Sequence, residues 1–147
     1  MPLEDKKKIV RQHIELSWNR GHLALTEQLH SSDFIYKSSF TGQALDSAGF
    51  SKLVQEIRHA MPDLQVVVEE CIGEGNKVCT WSTLIGTITR PALGYPASDR
   101  VLSISAMAFW TLNHGNEIQE ICTMFDMETF RAQLGLNNRP LAEKALP

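Results

Sequence analysis

The sequence predicts an α+β fold in which a curved antiparallel or mixed sheet wraps around N-terminal helices and encloses an apolar pocket. Helical spacing of apolar residues dominates the N-terminal part of the chain, with one short strand-like run inside it. Long strand-like segments joined mostly by hairpin turns follow, and a last helix ends the pattern. Parallel crossovers would need helices between the long strands, and the sequence predicts none there.

The N-terminal half is predicted to be mainly helical. Gly21 suits the left-handed position that follows a helix end, and Asp46 or Ser47 can cap the start of a later helix. Phe34 to Tyr36 is aromatic and β-branched, as strands prefer. The predicted elements are a helix over about 4–19, a helix over 22–30, a strand over 34–36 and a helix over 46–60.

The second half reads as strands in hairpins. Residues 73–76 form a glycine-rich hairpin turn, and residues 90–99 form a loop because they contain two prolines and a glycine. The predicted elements are strands over 64–72, 77–89, 101–112 and 117–125, then a helix that opens at Asp126 or Glu128 and ends near 134–135.

Side-chain alternation predicts that both faces of the sheet are covered. In the strand over 101–112 one set of alternating residues is wholly apolar and the other is mixed, so the pattern predicts that neither face is fully exposed to solvent. The strand over 77–89 behaves alike. Since the predicted helices suffice for one face, we expect a second copy of the chain on the other, in a homodimer.

Composition excludes several classes of partner. The net charge of -3 at pH 7 gives no electrostatic reason to bind nucleic acid or an anionic membrane.

The cysteines and histidines bear on location and metal binding. Cys71, Cys79 and Cys122 each lie in an apolar run, which indicates buried, reduced thiols and a cytoplasmic location. The histidines have no metal-ligand spacing, and His13, His22 and His59 are expected on helix surfaces. No apolar stretch has signal-peptide or membrane-spanning length, which again favours the cytoplasm.

An ordered set of short motifs carries a family resemblance. These motifs are Trp18-Asn19-Arg20-Gly21, Asp33-Phe34, Met61-Pro62-Asp63-Leu64, Gly73 to Val78, Gly86-Thr87, Leu93 to Ala97, Phe125-Asp126 and Leu134-Gly135. Together they resemble the SnoaL-like polyketide cyclases, within the nuclear transport factor 2-like and ketosteroid isomerase-like superfamily. The resemblance implies one domain over 1–147, with its core at about 8–136 and a short C-terminal tail. It further implies a cone-shaped barrel, a deep hydrophobic pocket, frequent homodimers and no metal or organic cofactor.

The resemblance also implies a chemistry and its residues. Cyclases of this family close a ring after a proton leaves a carbon next to a carbonyl, which a desolvated carboxylate does best. Asp126 matches the family's acidic residue, although an Asp ahead of a helix is equally a common N-cap. Tyr36 is the expected hydrogen-bond donor. The expected substrate-binding residues are Trp18, Trp81, Thr83, Met107, Phe109 and Met124, and plain core packing explains such a set as readily.

The sequence departs from the family at three pocket positions. Many members carry histidines where this chain has Lys37, Ile88 and Ile121. Two hypotheses therefore stay open. The chain is either a cofactor-independent enzyme of cyclase or isomerase type acting on a hydrophobic carbonyl compound, or a non-catalytic module that binds a small apolar ligand or a protein. The environment of Asp126 distinguishes them: a cavity-facing acid with a perturbed pKa favours the enzyme, and a helix cap favours the module.

Overall fold

The predicted α+β architecture is confirmed. A computed structural model describes residues 3–135, so the C-terminal tail predicted after residue 136 lies outside the described residues. Five strands form an open, mixed sheet in the order β1-β5-β4-β3-β2. β1 runs parallel to β5, and every other neighbouring pair is antiparallel.

The helices pack on the inner face of the sheet. A π-helical turn over Glu15–Asn19 extends α1, so the predicted first helix is continuous but changes its hydrogen-bond pattern. Asp46 caps α3 by accepting a hydrogen bond from the backbone N–H of Gly49. The helices are α1 (Leu3–Ile14), α2 (Leu23–Glu27), α3 (Ser47–Ala60) and α4 (Met127–Gln133).

The strands match their predicted positions closely, with one substantial difference. β1 is longer than the predicted strand over 34–36, because it takes in His30, which the sequence pattern assigned to the second helix, and the residues on either side of the predicted strand. Its parallel pairing with the buried strand β5 accounts for the extension, since tertiary pairing overrides a weak local helical pattern. The strands are β1 (His30–Ser38), β2 (Gln65–Glu74), β3 (Lys77–Thr87), β4 (Val101–Leu112) and β5 (Ile118–Phe125).

Polar contacts fix the N-terminal helices to the edge of the sheet. The Asn19 side chain donates to the backbone O of Val66 at 3.0 Å and accepts from its backbone N–H at 2.6 Å, as a neighbouring strand would. Arg58 donates to the backbone O of Trp18 at 2.7 Å. Gly21 has a φ of +67°, and a Cβ there would lie 2.6 Å from Arg58 Nε. Only glycine fits this turn, so the end of the π-helical turn is set by packing as well as by conformation.

The two faces of the sheet differ sharply. On β4, alternate residues from Leu102 to Leu112 are buried against the helices, and those between them are exposed except for half-buried Thr111. The exposed set on all five strands includes large apolar side chains. We call this surface the outer face, with Ile35, Val67, Ile72, Trp81, Ile85, Val101, Met107, Phe109 and Met124 as its exposed apolar residues.

Candidate functional site

Two adjoining apolar voids lie between the helices and the inner face of the sheet. Each encloses about 40 Å³, and Trp18, Leu84 and Phe125 contribute to the walls of both. That volume holds about three water molecules, well below the roughly 300–1,000 Å³ of an ordinary ligand pocket. The deep pocket that the resemblance implied is therefore present as a small, largely packed cavity.

We call the void lined by residues of the β3–β4 loop and α4 the outer void; the other void carries the polar groups. Its lining includes Tyr36, Thr80, Ser82 and Thr123 among apolar side chains. Thr80 is already occupied, because it accepts a hydrogen bond from Trp110 Nε1 at 2.9 Å. Among the described residues, no carboxylate, histidine, lysine or arginine lines either void. The cavity is therefore neutral, with a few hydroxyl groups at its inner end.

Tyr36 is the most distinctive of these groups. Its side chain is 2 % exposed, and its ring lies 4.8 Å from the ring of Phe50. The hydroxyl has no hydrogen-bond partner among the described residues. Desolvation raises the pKa of the Tyr36 hydroxyl to about 12. The nearby hydroxyls of Thr123 and Ser38 lower this pKa by a smaller amount. Neither of them is in hydrogen-bonding geometry with the Tyr36 hydroxyl. Tyr36 is thus a protonated, unused donor at neutral pH.

Three aromatic rings that contact one another line the outer void. Phe40 follows β1, Tyr95 lies in the loop between β3 and β4, and Phe130 belongs to α4. Their ring centroids lie 4.7 Å apart for Tyr95 and Phe130, 5.4 Å for Phe40 and Phe130, and 6.1 Å for Phe40 and Tyr95. We call these three residues the mouth cluster. The sequence alone did not predict this cluster, because separate segments of the chain contribute the three rings.

The structure corrects the placement of five predicted wall residues. Trp18 lines the inner voids as expected, and Tyr36 points inward. Phe109 and Met124, at 62 % and 70 % exposure, lie on the outer face. Beside the voids, the inner positions of β3 and β4 carry small side chains, Ser82, Ala106 and Ala108, so size misled the prediction. The residues on the outer side are Trp81, Thr83, Met107, Phe109 and Met124.

Asp126 does not face the inner voids. It caps α4: Thr129 donates its backbone N–H to Oδ1 at 3.1 Å and its hydroxyl to Oδ2 at 2.6 Å. Both bonds lower the pKa of the exposed Asp126 carboxyl from its usual range, and the bond from the Thr129 hydroxyl has the larger effect. Of the two roles that the sequence left open for Asp126, the structure shows the solvated helix cap, and it does not show a desolvated acid with a raised pKa.

Several predicted site residues nevertheless meet. Asp126, Trp81, Met107 and Met124 line an open groove of about 470 Å³ on the outer face. Glu70 lies on the same groove. These four predicted site residues therefore lie together, but on the outer side of the sheet rather than in the inner voids. We call this feature the Asp126 groove.

A buried histidine pair was also missed. His13 is 0 % exposed, which contradicts its expected position on a helix surface. Its Nε2 lies 2.8 Å from Nε2 of His30, and Nδ1 of His30 lies 2.7 Å from the hydroxyl of Ser47. A signal existed in the sequence, because His13 falls on the same helical stripe as Val10 and Ile14. Neither histidine lines the voids.

The three positions that often carry histidine in the family are dispersed. Lys37 is exposed and pairs with Glu120 at 3.5 Å. Ile88 lines the outer void, and Ile121 is buried in the core. The expectation that Tyr36 points inward and Lys37 outward is confirmed, because alternation sends them to opposite faces.

The thiols are more accessible than expected. Cys71 and Cys79 are half-buried and Cys122 is exposed, so the prediction of buried cysteines is wrong. All three are free. Within residues 3–135, no three side chains of the metal-binding types come together. None of the helices described there has the length and apolar character needed to cross a membrane.

Comparison with known proteins places this geometry in a family. The family model for the SnoaL-like polyketide cyclases matches residues 8–134. AclR from Streptomyces galilaeus, a candidate hydroxylase, shares 20% identity over 98% of this chain and 95% of its own, with a TM-score of 0.81. A SnoaL-like protein from Jannaschia sp. CCS1 shares 21% identity over 91% and 94% of the two chains, with a TM-score of 0.81.

A further solved structure agrees. IdmH from Streptomyces antibioticus, a candidate polyketide cyclase, shares 22% identity over 88% of this chain and 98% of its own, with a TM-score of 0.76. At these identities the likeness supports the fold alone. No curated protein matches the sequence. Because the family model covers most of its length and the architecture agrees, the chain belongs to the SnoaL-like polyketide cyclase family.

Proposed function

We propose that the protein binds a small, neutral, apolar molecule with one hydrogen-bond acceptor, such as a carbonyl oxygen, in its inner voids. The observation that carries this proposal is the buried Tyr36 hydroxyl, which has no partner among the described residues. A buried polar group without a hydrogen bond costs about 1–3 kcal/mol. A ligand acceptor next to Tyr36 would remove that cost.

The walls restrict the ligand's chemistry. A charged ligand would be buried without a counter-charge, since the described lining of both voids is neutral, and burial of an unpaired charge is very unfavourable. The pKa of Tyr36, raised to about 12 by burial, keeps the hydroxyl in its donor form. These features favour a ketone-like compound over an acid or an amine.

Entry requires the mouth cluster to move. The voids together are smaller than a typical ligand, so Tyr95 and its loop must shift outward on binding. That loop contains Leu93 at a φ of +51°, a conformation rare for a residue with a side chain. The backbone N–H of Leu93 donates to Glu56 at 3.3 Å, a long bond that opening would break at little cost.

Substitution of Tyr36 with Phe tests the proposal. We expect wild-type protein to bind cyclohexanone more tightly than methylenecyclohexane, which has the same shape without the oxygen. Tyr36→Phe should weaken cyclohexanone binding by about five- to tenfold, the worth of one hydrogen bond. It should leave methylenecyclohexane binding nearly unchanged and raise the melting temperature by about a few degrees, because it removes the unpaired buried hydroxyl. Calorimetric titration and chemical-shift perturbation measure these affinities.

The chain's other tyrosine supplies the control. Tyr95→Phe removes a hydroxyl at the mouth, so the preference for cyclohexanone should persist. Equal affinity of wild-type protein for both compounds, or an unchanged preference in Tyr36→Phe, would contradict the proposal.

Catalysis of cyclase or isomerase type is the second candidate. Family membership favours it, and so does the meeting of Asp126 with Trp81, Met107 and Met124 in one groove. In this proposal the Asp126 carboxylate removes a proton from a carbon next to a carbonyl. Its low pKa makes it a weaker base than a desolvated carboxylate, so the binding function is the better supported of the two.

Exchange of hydrogen for deuterium beside the carbonyl of cyclohexanone tests the catalytic candidate. If Asp126 is the base, Asp126→Asn should abolish any protein-dependent exchange in D2O. Its melting temperature should stay nearly constant, since Asn can still accept from Thr129. Asp63→Asn is the matched control, because Asp63 accepts the same pair of bonds from Thr87. Exchange that persists in Asp126→Asn would remove the catalytic assignment.

We also propose that the protein forms a homodimer through its outer face. Large apolar side chains are exposed on all five strands there, and contiguous apolar surface of this kind marks an interaction site. A two-fold axis would bury the same patch on both subunits. The polar residues on the central strands include half-buried Thr83 and exposed Ser105 and Cys122. Charged residues such as Lys37 and Glu70 lie on the edge strands β1 and β2, so two such faces can meet at their centres with little charge burial.

The thiols bear on location. Because all three cysteines are free and Cys122 is exposed, we propose that the protein works in a reducing compartment such as the cytoplasm. Within the proposed dimer, Cys122 would be covered, since its strand neighbour across the sheet is Phe109 on the same face.

A further inference from the structure

Lys6 is a buried cation with too few partners. It lies on the helical stripe of α1 that packs against the sheet, and it is only 9 % exposed. Its ammonium has three protons to donate, and one goes to Oδ1 of Asn116 at 2.8 Å. No carboxylate among the described residues forms an ion pair with it. Buried charges in proteins are normally paired, so Lys6 calls for an explanation.

The ammonium opens onto a polar cleft. The cleft has a volume of about 420 Å³ and lies at the end of the sheet where β4 turns into β5. It is distinct from the inner voids and from the Asp126 groove, which have no lining residue in common with it. Its lining residues are Lys6, Asn76, Leu112, Asn113, His114 and Gln119. Apart from Leu112, each can donate a hydrogen bond.

The polar groups around Lys6 are incompletely paired. Two carboxylates bond to amides of the lining: Glu117 accepts from Asn113 at 3.0 Å, and Asp33 accepts from Gln119 at 3.1 Å. Both carboxylates are exposed, where water screens their repulsion. Nδ2 of Asn116 is buried and has no acceptor among the described residues. The Lys6 ammonium therefore has no ion-pair partner among the described residues, and it lies next to a buried amide that lacks an acceptor.

We propose that this cleft is a binding site for a small oxyanion, of the phosphate or carboxylate kind, that pairs with Lys6. Such an anion would neutralise the charge of the buried ammonium and accept its remaining hydrogen bonds. Lys6 would act as a point charge, since an ammonium cannot bind an oxyanion in the bidentate way that an Arg guanidinium does. Amides and the His114 ring would supply the surrounding donors. The site is independent of the ligand proposed for the inner voids.

Titration of the full-length protein with inorganic phosphate, and separately with acetate, tests this site. Chloride keeps the ionic strength constant, and backbone amide shifts of residues 112–119 report binding. We expect saturable shifts in wild-type protein from at least one of the two anions, which also tells phosphate from carboxylate. Lys6→Met should weaken binding by about tenfold or more, the worth of a charge-assisted hydrogen bond, and Lys6→Arg should retain it. Lys8→Met, on the exposed side of the same helix, should change nothing.

The overturning results are equally definite. No saturable shift with either anion in wild-type protein, or the same affinity in Lys6→Met, would refute the site. If Lys6→Met does not fold, the double variant Asn76→Ala, His114→Ala takes its place, since both side chains are exposed. Undiminished affinity in that double variant would overturn the proposal in the same way.

Discussion

Acidification from pH 7 to pH 4 should destabilise the fold by roughly 3 kcal/mol through His30 alone, with His13 adding to the loss. Burial lowers the pKa of His30 from 6.5 to about 4, against a smaller opposing effect of Glu27. Burial and the neighbouring His30 hold the pKa of His13 well below its usual value. The pair is therefore neutral at pH 7, with one ring donating to the other across 2.8 Å.

The direction follows from proton binding. In the unfolded chain both histidines gain a proton as the pH falls below about 6.5. In the folded chain His30 stays neutral until the pH approaches 4, and the pKa of His13 is held well below its usual value. The unfolded state thus binds more protons in this window, and stability falls with falling pH at about 1.4 kcal/mol per pH unit for each histidine. The full contribution is present above pH 6.5 and is lost as the pH falls toward 4.

The surroundings of His13 and His30 would stabilise a protonated ring only weakly. His30 stacks on Phe34 with ring centroids 3.6 Å apart, and His13 contacts the rings of Phe50 and Trp110. Glu27 on α2 is the acidic group that acts on His30, and it already accepts a hydrogen bond from Ser51 at 2.6 Å. Protonation of either ring would therefore place a positive charge among aromatic side chains with little compensation.

Urea denaturation at a series of pH values between 4 and 8 measures the effect. His30→Gln should flatten the dependence between pH 4 and 6.5, because one of the two suppressed protonations is removed. His59→Gln, on the exposed side of α3, should keep the wild-type slope. A wild-type stability that stays level from pH 7 to pH 5 would contradict the assignment, as would the same slope in His30→Gln.

Phe109→Glu should convert the proposed dimer into a monomer. Phe109 is 62 % exposed and lies between Cys79 and Cys122 on the neighbouring strands. In a two-fold symmetric dimer, the substitution would place one introduced carboxylate from each subunit in the interface where two Phe rings would otherwise be buried. Such a juxtaposition of like charges costs several kcal/mol. We expect the dissociation constant to rise by about a hundredfold or more, with the fold intact because the residue is exposed in each subunit.

Light scattering coupled to size-exclusion chromatography, with sedimentation equilibrium for the affinity, measures this change. Leu25→Glu is the control, because Leu25 is a comparably exposed apolar residue on α2, away from the outer face. A monomeric wild-type protein at micromolar concentration, or a dimer that survives Phe109→Glu unchanged, would remove the outer face as the subunit interface.

Local patterns were sufficient for most of the architecture. The spacing of apolar residues placed α1 and α3, and Asp46 marked the start of α3 because Asp is a strong N-cap. The strand β4 was predicted with its observed bounds, Val101–Leu112. Glycine-rich turns and the lack of helices between the long strands implied hairpins. The family resemblance was confirmed over residues 8–134.

What the sequence by itself determined is therefore the set of elements and the two faces of each strand. Only the tertiary structure decided which face is inside, because alternation separates two sets of residues without saying which one the helices cover. Because the helices cover the other face, Trp81 and Phe109 lie on the outer face, and Asp126 is a solvated helix cap. It also brought together Lys6 and Asn116, which are 110 positions apart, since long-range contacts follow from packing rather than from local spacing.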